Sequence, residues 1–305
     1  MFRRVLDARL WYPCRIMKPR SFTHLCLLFL AFASIPVLVP MTGSAAQQTQ
    51  TAVINGADVI TGSAIEGGLI IARTTAGSRV EIDGTAVPVS GTGLFLVGFH
   101  HQSNTPQTIR ITSGDGGRHS TVVTPVQRDY EIQRIDGLAP KMVTPPEDVI
   151  KRIKSDSKAV REARTRIAPL GDFVDGFDWP VRGRISSVFG SQRILNGKAR
   201  APHYGIDIAA PKGTAVLAPA SGRVTLVMDL YYSGWTILVA HGLGLNSSFL
   251  HLDQVAVSTG ETVQRGTLLG WVGSSGRSTG PHLDWRLDWQ GRRLDAALIA
   301  GPMPQ

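Results

Sequence analysis

From Gly171 onward, short apolar runs alternate with turn residues at intervals too small for helices. This spacing constrains the fold more than any other feature of the chain. Ala215–Leu217, Arg223–Val227, Trp235–Val239, Ser248–Leu252 and Leu268–Val272 have the length and β-branched or aromatic content of strands. Glycines at 222, 234, 242, 244, 260, 266, 273, 276 and 280 punctuate them. No apolar-periodic stretch of ten residues separates the runs, which disfavours a parallel sheet with crossover helices. Lys212-Gly213-Thr214 lacks the Gly-rich lead of a phosphate loop.

The same texture recurs upstream. Gly68–Ala72, Val80–Ile82 before Asp83-Gly84, Leu94–Val97, Thr108–Thr112 before Gly114–Gly117, and Thr121–Thr124 read as short strands joined by hairpin-type turns. They predict a small β-sandwich-like domain over residues 52–138. His100, His101 and His119 have no carboxylate or cysteine at ligand spacing and are expected in turns or on the surface. Between the two β regions, 139–170 is read as a linker and a basic helix. Thr144-Pro-Pro-Glu147 has the form of an N-cap, first-turn prolines and a capping-box glutamate, with the helix running to about Ile167. Its apolar stripe is thin, so it is expected to be a solvated connector or a partner helix, with a solvated face favoured and contact to an anionic envelope surface as the second reading. The fold class expected is mainly β, with the last domain spanning 171–301.

Net charge needs dissection before it means anything. The whole chain carries +9, but residues 1–46 hold six basic residues and one acid. That segment continues with an apolar run from Leu25 to Val39 and a small-residue exit at Met41–Ala46, the three parts of a signal peptide. The run is short for a membrane span, which needs ~20 residues, and is broken by Pro36 and Pro40. Uncleaved, it would tether the chain to a membrane; either Met1 or Met17 serves as a start. Both cysteines, Cys14 and Cys26, lie in this leader, so the rest of the chain has no disulfide and no cysteine metal site. Beyond residue 46 the net charge is +4, the surplus carried by the 141–166 helix region alone. No aromatics interleave with those basic residues, and no nucleic-acid role is expected. The location expected is the periplasm or cell envelope.

Histidines and carboxylates then concentrate in the last domain. His203-Tyr-Gly-Ile-Asp207 pairs an imidazole with a carboxylate four residues on, and His282-Leu-Asp284 pairs them two apart. Residues two apart in a strand share a face, so His282 and Asp284 are expected to look into one cavity. Imidazole and carboxylate are the ligands zinc accepts where cysteine is absent. With His251, the two pairs favour a metal site over isolated structural His–Asp couples. His241, before Gly242, reads as a structural hydrogen-bonding histidine. Tyr231, Tyr232 and Trp235 line a groove or pack in the core, while Trp271, Trp285 and Trp289 read as strand packing. Arg182, Arg184, Arg193, Lys198 and Arg200 occur without an acid in 181–200 and are read by default as solubilising loop charges.

Phe177-Asp-Trp-Pro-Val-Arg-Gly183, Ser187-Val-Phe-Gly190, Gln192-Arg193, Pro202-His-Tyr-Gly-Ile-Asp-Ile-Ala-Ala-Pro-Lys-Gly-Thr214, Ala218–Val224, Phe249-Leu-His-Leu252 and Gly276-Arg-Ser-Thr-Gly-Pro-His-Leu-Asp284 follow in order. Over about 175–300 this run resembles the M23 family of zinc metallopeptidases, the LytM/lysostaphin-type peptidoglycan endopeptidases. The resemblance implies a β-domain with a groove holding one zinc ion and cleavage of peptide bonds in murein. It implies His203 and Asp207 as zinc ligands, and His251 and His282 as the catalytic histidines that handle the water proton and the oxyanion. The third ligand of the family is the second histidine of a His-x-His motif, where this chain has Asp284. Two outcomes follow: a His203–Asp207–Asp284 site of lower Lewis acidity on a strand drawn closer to the metal, or a module that binds murein or activates a cell-wall amidase. The first is the expectation, with peptidoglycan peptides as substrate and an amidase or division-complex partner as the alternative.

Overall fold

The computed structural model describes residues 52–137, 143–166, 168 and 171–304. The leader inferred for residues 1–46 lies outside these residues, and the described residues belong to one compact unit. The N-terminal half contributes β1 (Asp58–Gly62), β2 (Leu69–Arg73), β3 (Arg79–Ile82), β4 (Thr85–Val87), β5 (Leu94–Gly98), β6 (Gln107–Thr112), β7 (Arg118–Val123) and β8 (Ile132–Ile135). After α1 (Glu147–Arg164) come β9 (Arg184–Ser187), β10 (Gln192–Leu195), β11 (Lys198–Ala199), β12 (Ile206–Ala209), β13 (Ala215–Leu217), β14 (Gly222–Leu230) and β15 (Gly234–Gly242). β16 (Leu245–Val255), β17 (Thr262–Val263), β18 (Leu268–Val272), β19 (His282–Trp289), β20 (Arg292–Leu294) and the short α2 (Ala297–Ala300) complete the order. The molecule is mainly β, as its turn spacing predicts.

Upstream lie a three-stranded sheet β1-β2-β5 and a four-stranded sheet β4-β3-β6-β7, whose buried residues join one core. Burial explains the composition of the strands. β2 and β5 are continuous apolar runs buried along almost their whole length, whereas β6 alternates buried Gln107, Ile109 and Ile111 with more exposed neighbours. Downstream, a ten-stranded sheet follows the path β17-β14-β15-β16-β19-β12-β9, with β18 joining β13 to β16 and β20 flanking β19.

The two β regions share one apolar core, running from Ile70, Phe95 and Phe99 to Trp285 and Trp289. Polar clamps cross the same junction. Arg292 donates to the Gly98 carbonyl at 2.6 Å and to Gln107 Oε1 at 2.9 Å, while Arg128 pairs with Asp295 at 2.9 Å. His101 belongs to this junction rather than to the surface. It lies in a turn, as one of the two expected settings has it, but it is buried among the rings of Tyr130, Phe189 and Tyr204, which corrects the surface alternative. The reason is non-local: the packing partners lie up to a hundred residues away. A second bridge is parallel pairing of β8 with β10, which sets Gln133 beside Arg193.

The helix departs from its expected form at both ends. It begins at Glu147 with Pro146 as N-cap and no side-chain cap, and it ends at Arg164. Thr144 is drawn away from a capping role, its hydroxyl accepting from Lys198 Nζ at 3.2 Å. Nor is the helix merely solvated. Ala163 is fully buried against Leu226 and Leu238, Arg164 pairs with buried Asp288 at 3.0 Å, and Arg152 meets Asp229 at 3.0 Å. Among the described residues no helix is long and apolar enough to cross a membrane.

Candidate metal centre and catalytic groove

All five residues singled out by the sequence meet in one place. β12 and β19 pair antiparallel with Asp207 directly opposite Asp284, which puts both carboxylates on one face. His203 enters from the loop before β12. Its Nε2 lies 3.0 Å from Asp207 Oδ1 and 3.3 Å from Asp284 Oδ2. Gly205 makes the approach possible, since a Cβ there would collide with Asp284 Oδ1. His282, two residues before Asp284, brings its Nε2 to 3.8 Å from Asp207 Oδ1. His251 faces His282 with ring centroids 4.8 Å apart. Asp207, His251 and His282 line a groove of about 290 Å³, with His203 and Asp284 buried behind it.

His251 reaches the groove through a distortion. β16 spends one residue more than β15 between the pairs Trp235↔Leu252 and Ile237↔Phe249, and His251 takes φ 64° within that bulge. A left-handed conformation at a non-glycine residue is strained and persists where the surroundings impose it. The main-chain N–H of His251 donates to the Ser233 carbonyl at 2.8 Å, and its Nδ1–H to the Ser275 carbonyl, also at 2.8 Å. Burial pushes its proton affinity down to a pKa of about 4. His282 is oriented in the same manner, with Nδ1 donating to the Gly280 carbonyl at 2.8 Å. Both rings thereby turn Nε2 towards the site.

The supports around the carboxylates carry as much information as the five residues themselves. The Ser187 hydroxyl donates to Gln133 Oε1 at 3.2 Å, so at 3.0 Å from His203 Nδ1 it accepts the imidazole N–H. That fixes the His203 tautomer and leaves Nε2 as a lone pair aimed at two carboxylate oxygens. Arg193 Nη2 pairs with Asp207 Oδ2 at 2.7 Å while its Nε donates to Gln133 at 3.2 Å. Arg286 grips Asp284 through Nη2 at 2.6 Å and Nε at 3.0 and 3.1 Å. Burial favours the neutral form of Asp284, yet Arg286 and His203 hold its carboxyl well below the usual range. Burial opposes a charge on His203 too, but Asp284 and Asp207 raise its proton affinity.

Three potential ligand atoms thus converge, and neither His203 Nε2 nor Asp207 Oδ1 has a hydrogen-bond partner. Such a cluster calls for a cation. The ligand atoms lie within 4.8 Å of one another. Zinc with bonds of about 2.0–2.2 Å spaces tetrahedral ligand atoms about 3.3–3.6 Å apart, close to the separations here. The donor set therefore fits a divalent metal of zinc's preferences.

Arg193, read from sequence as a loop charge, is a structural partner of Asp207, and Arg200 donates to the Val143 carbonyl at 2.6 Å. Arg286 was missed, though its place two residues after Asp284, on the same strand face, was a usable signal. Gln133 had no such signal, because it arrives by pairing between segments 60 residues apart. His241 is the structural histidine expected, fully buried between the Ser221 carbonyl at 2.8 Å and Ser247 Oγ at 2.9 Å.

The Peptidase family M23 model matches residues 201–296, the stretch holding the five site residues. Peptidoglycan DD-endopeptidase ShyA of Vibrio cholerae is 38% identical over 128 residues, covering 41% of this chain and 30% of that protein. DD-carboxypeptidase/endopeptidase Mpg of Neisseria meningitidis is 36% identical over 125 residues, covering 41% of this chain and 29% of that protein. The matched region is thus less than a third of those relatives' length. Likeness extends over the upstream region in a crystal structure from Pseudomonas aeruginosa designated peptidase M23. It is 30% identical with a TM-score of 0.61 and covers 79% of this chain and 96% of that one. On the strength of that coverage, of the ordered motifs and of the converging histidines and carboxylates, this chain belongs to peptidase family M23.

Proposed function

We propose that this protein is a zinc-dependent endopeptidase that hydrolyses peptide bonds in peptidoglycan. The observation that carries the reading is the convergence of His203 Nε2, Asp207 Oδ1 and Asp284 Oδ2 beside His251 and His282 in an open groove. The names of its relatives support the substrate class, and the leader in residues 1–46 supports action in the periplasm or envelope.

His203, Asp207 and Asp284 would hold the metal, which when bound supplies Lewis-acid polarisation of the scissile carbonyl and acidifies water. Arg193 orients the carboxylate of Asp207, and Arg286 keeps that of Asp284 ionised and oriented. Ser187 and Gln133 keep the imidazole lone pair pointed inward. His251, neutral at pH 7 and fixed at Nδ1, offers Nε2 to take a proton from water. His282 shares this work, and whichever ring is protonated donates to the oxygen on which charge develops. The 52–138 region would set the approach of substrate, and it already contributes Gln133 to the site's support.

A second reading, a murein-binding or amidase-activating module, draws on one observation. Arg193 and Arg286 already neutralise the two carboxylates, which lowers the site's pull on a metal. Digestion of purified peptidoglycan separates the readings. The endopeptidase releases soluble peptides in a zinc-dependent manner, and His203→Ala abolishes release. The module binds sacculi with or without chelator and releases nothing.

A further inference from the structure

Beside the catalytic groove a second cavity of about 500 Å³ opens between α1 and the sheet. The two spaces share Arg193, His251 and Arg277, so a chain lying against His251 can continue into the chamber. Six arginines line it: Arg161, Arg164, Arg193, Arg277, Arg286 and Arg293. Asp156 is the one acid in that lining, and its carboxylate is occupied by the Tyr231 main-chain N–H at 2.8 Å. Arg164, Arg193 and Arg286 have acid partners in Asp288, Asp207 and Asp284. Among the described residues no ion pair engages Arg161 or Arg293, and Arg277 stacks over Tyr232 at 4.5 Å.

Gathering like charges in a partly dry cavity is unfavourable unless something anionic arrives. Burial lowers the proton affinity of Arg293 and Arg277, and neighbouring guanidiniums add to the effect. Ser248 Oγ, in a residue only 3% exposed, lines the chamber without a hydrogen-bond partner. Leu230, Leu238 and Leu250 supply an apolar floor. Guanidinium matches carboxylate in a two-pronged geometry, and an apolar floor suits an aliphatic stem. A free phosphate would use the charge but leave the floor bare.

We propose that this chamber is a carboxylate-recognition subsite, seating the free carboxylate of a peptide whose scissile bond lies at His251 and His282. The proposal rests on the endopeptidase reading and narrows its substrate to acidic peptide stems. It also accounts for the position of α1, because the basic helix supplies Arg161 and Arg164 as one wall of the chamber.

The test uses the full chain and two synthetic stem peptides identical except that one carries a free carboxylate and the other its primary amide. Binding by titration calorimetry at fixed salt is expected to favour the free acid at least tenfold. Arg161→Gln combined with Arg293→Gln should erase that preference while leaving affinity for the amide and the melting temperature unchanged. Equal affinity for the two peptides, or a preference that survives in the double variant, overturns the subsite. So does displacement of the acid peptide by inorganic phosphate at matching concentration, which would mark a site for any anion. Hydrolysis is followed separately. Turnover of both peptides with equal KM defeats the subsite alone. Turnover of neither defeats the endopeptidase reading, while the binding preference still decides the chamber.

Discussion

Asp284 and Arg286 act as one unit, and that governs what substitution at either does. Asp284 is 1% exposed and its carboxylate is the counter-ion of Arg286. Asp284→His, which restores the family's usual ligand type, strands the guanidinium beside a metal site. A destabilisation of about 3 kcal/mol is expected, visible as a lower urea midpoint, with Arg286→Met in the same chain recovering most of it. Gln133 is a positioning residue of a different kind. Gln133→Leu removes the acceptor that holds both Ser187 and Arg193, and zinc affinity should fall about 10–100-fold while the melting temperature barely moves. A competition assay against a chelator of known affinity reads this, and unchanged affinity would show that Ser187 and Arg193 hold their positions unaided. His241 sets a pH limit on stability. Burial lowers its pKa to about 4 from an ordinary 6.5, so both folded and unfolded states are neutral above pH 6.5. As pH falls below 6.5 the unfolded state takes a proton that the folded state refuses. Stability is therefore lost progressively down to about pH 4, by on the order of 3 kcal/mol. Urea midpoints measured between pH 7.5 and 4.5 should fall, and His241→Gln should flatten the curve.

At the scale of elements, the strands were legible because each carries its own period and its own turn. β18 spans Leu268–Val272, the same residues its composition marks out, and the alternation of β6 foretells which of its faces is buried. The helix was legible in kind but not in its cap or its docking. Thr144 is diverted by Lys198, and Asp288, the partner of Arg164, lies more than a hundred residues downstream. The two His–Asp pairs were legible through their spacing, and His251 through the resemblance of Phe249-Leu-His-Leu252 to the family's motif. The bulge that turns His251 inward was not, because it is a mismatch between two strands rather than a property of either. Docking of α1 is open to test. Arg164→Met leaves Asp288 buried without its cation and should cost about 3–5 kcal/mol, whereas adding Asp288→Leu should restore most of it. Thermal melts of the single and double variants check this, and a neutral single variant would show that the helix end does not depend on the pair.

Across the whole molecule, the upstream sheets and the ten-stranded sheet share a core, and Gln133 carries the upstream region into the support of the proposed metal site. All tryptophans beyond residue 46 lie at or after Trp179, so their fluorescence reports the downstream half and its junction with the upstream sheets. A shared core requires that fluorescence and far-ultraviolet circular dichroism lose signal at the same urea concentration, and separate midpoints would show that the halves unfold independently. The net charge of +9 resolves along the same lines: more than half belongs to residues 1–46, and the basic helix lines a chamber beside the groove. The central claim is that His203, Asp207 and Asp284 together hold one catalytic metal ion. Its most direct test is the zinc content of the purified chain, measured by elemental mass spectrometry alongside Asp284→Ala. The account predicts about one zinc per wild-type chain and almost none in the variant. A wild type that stays metal-free under excess zinc, or a variant that keeps its full zinc, would contradict it.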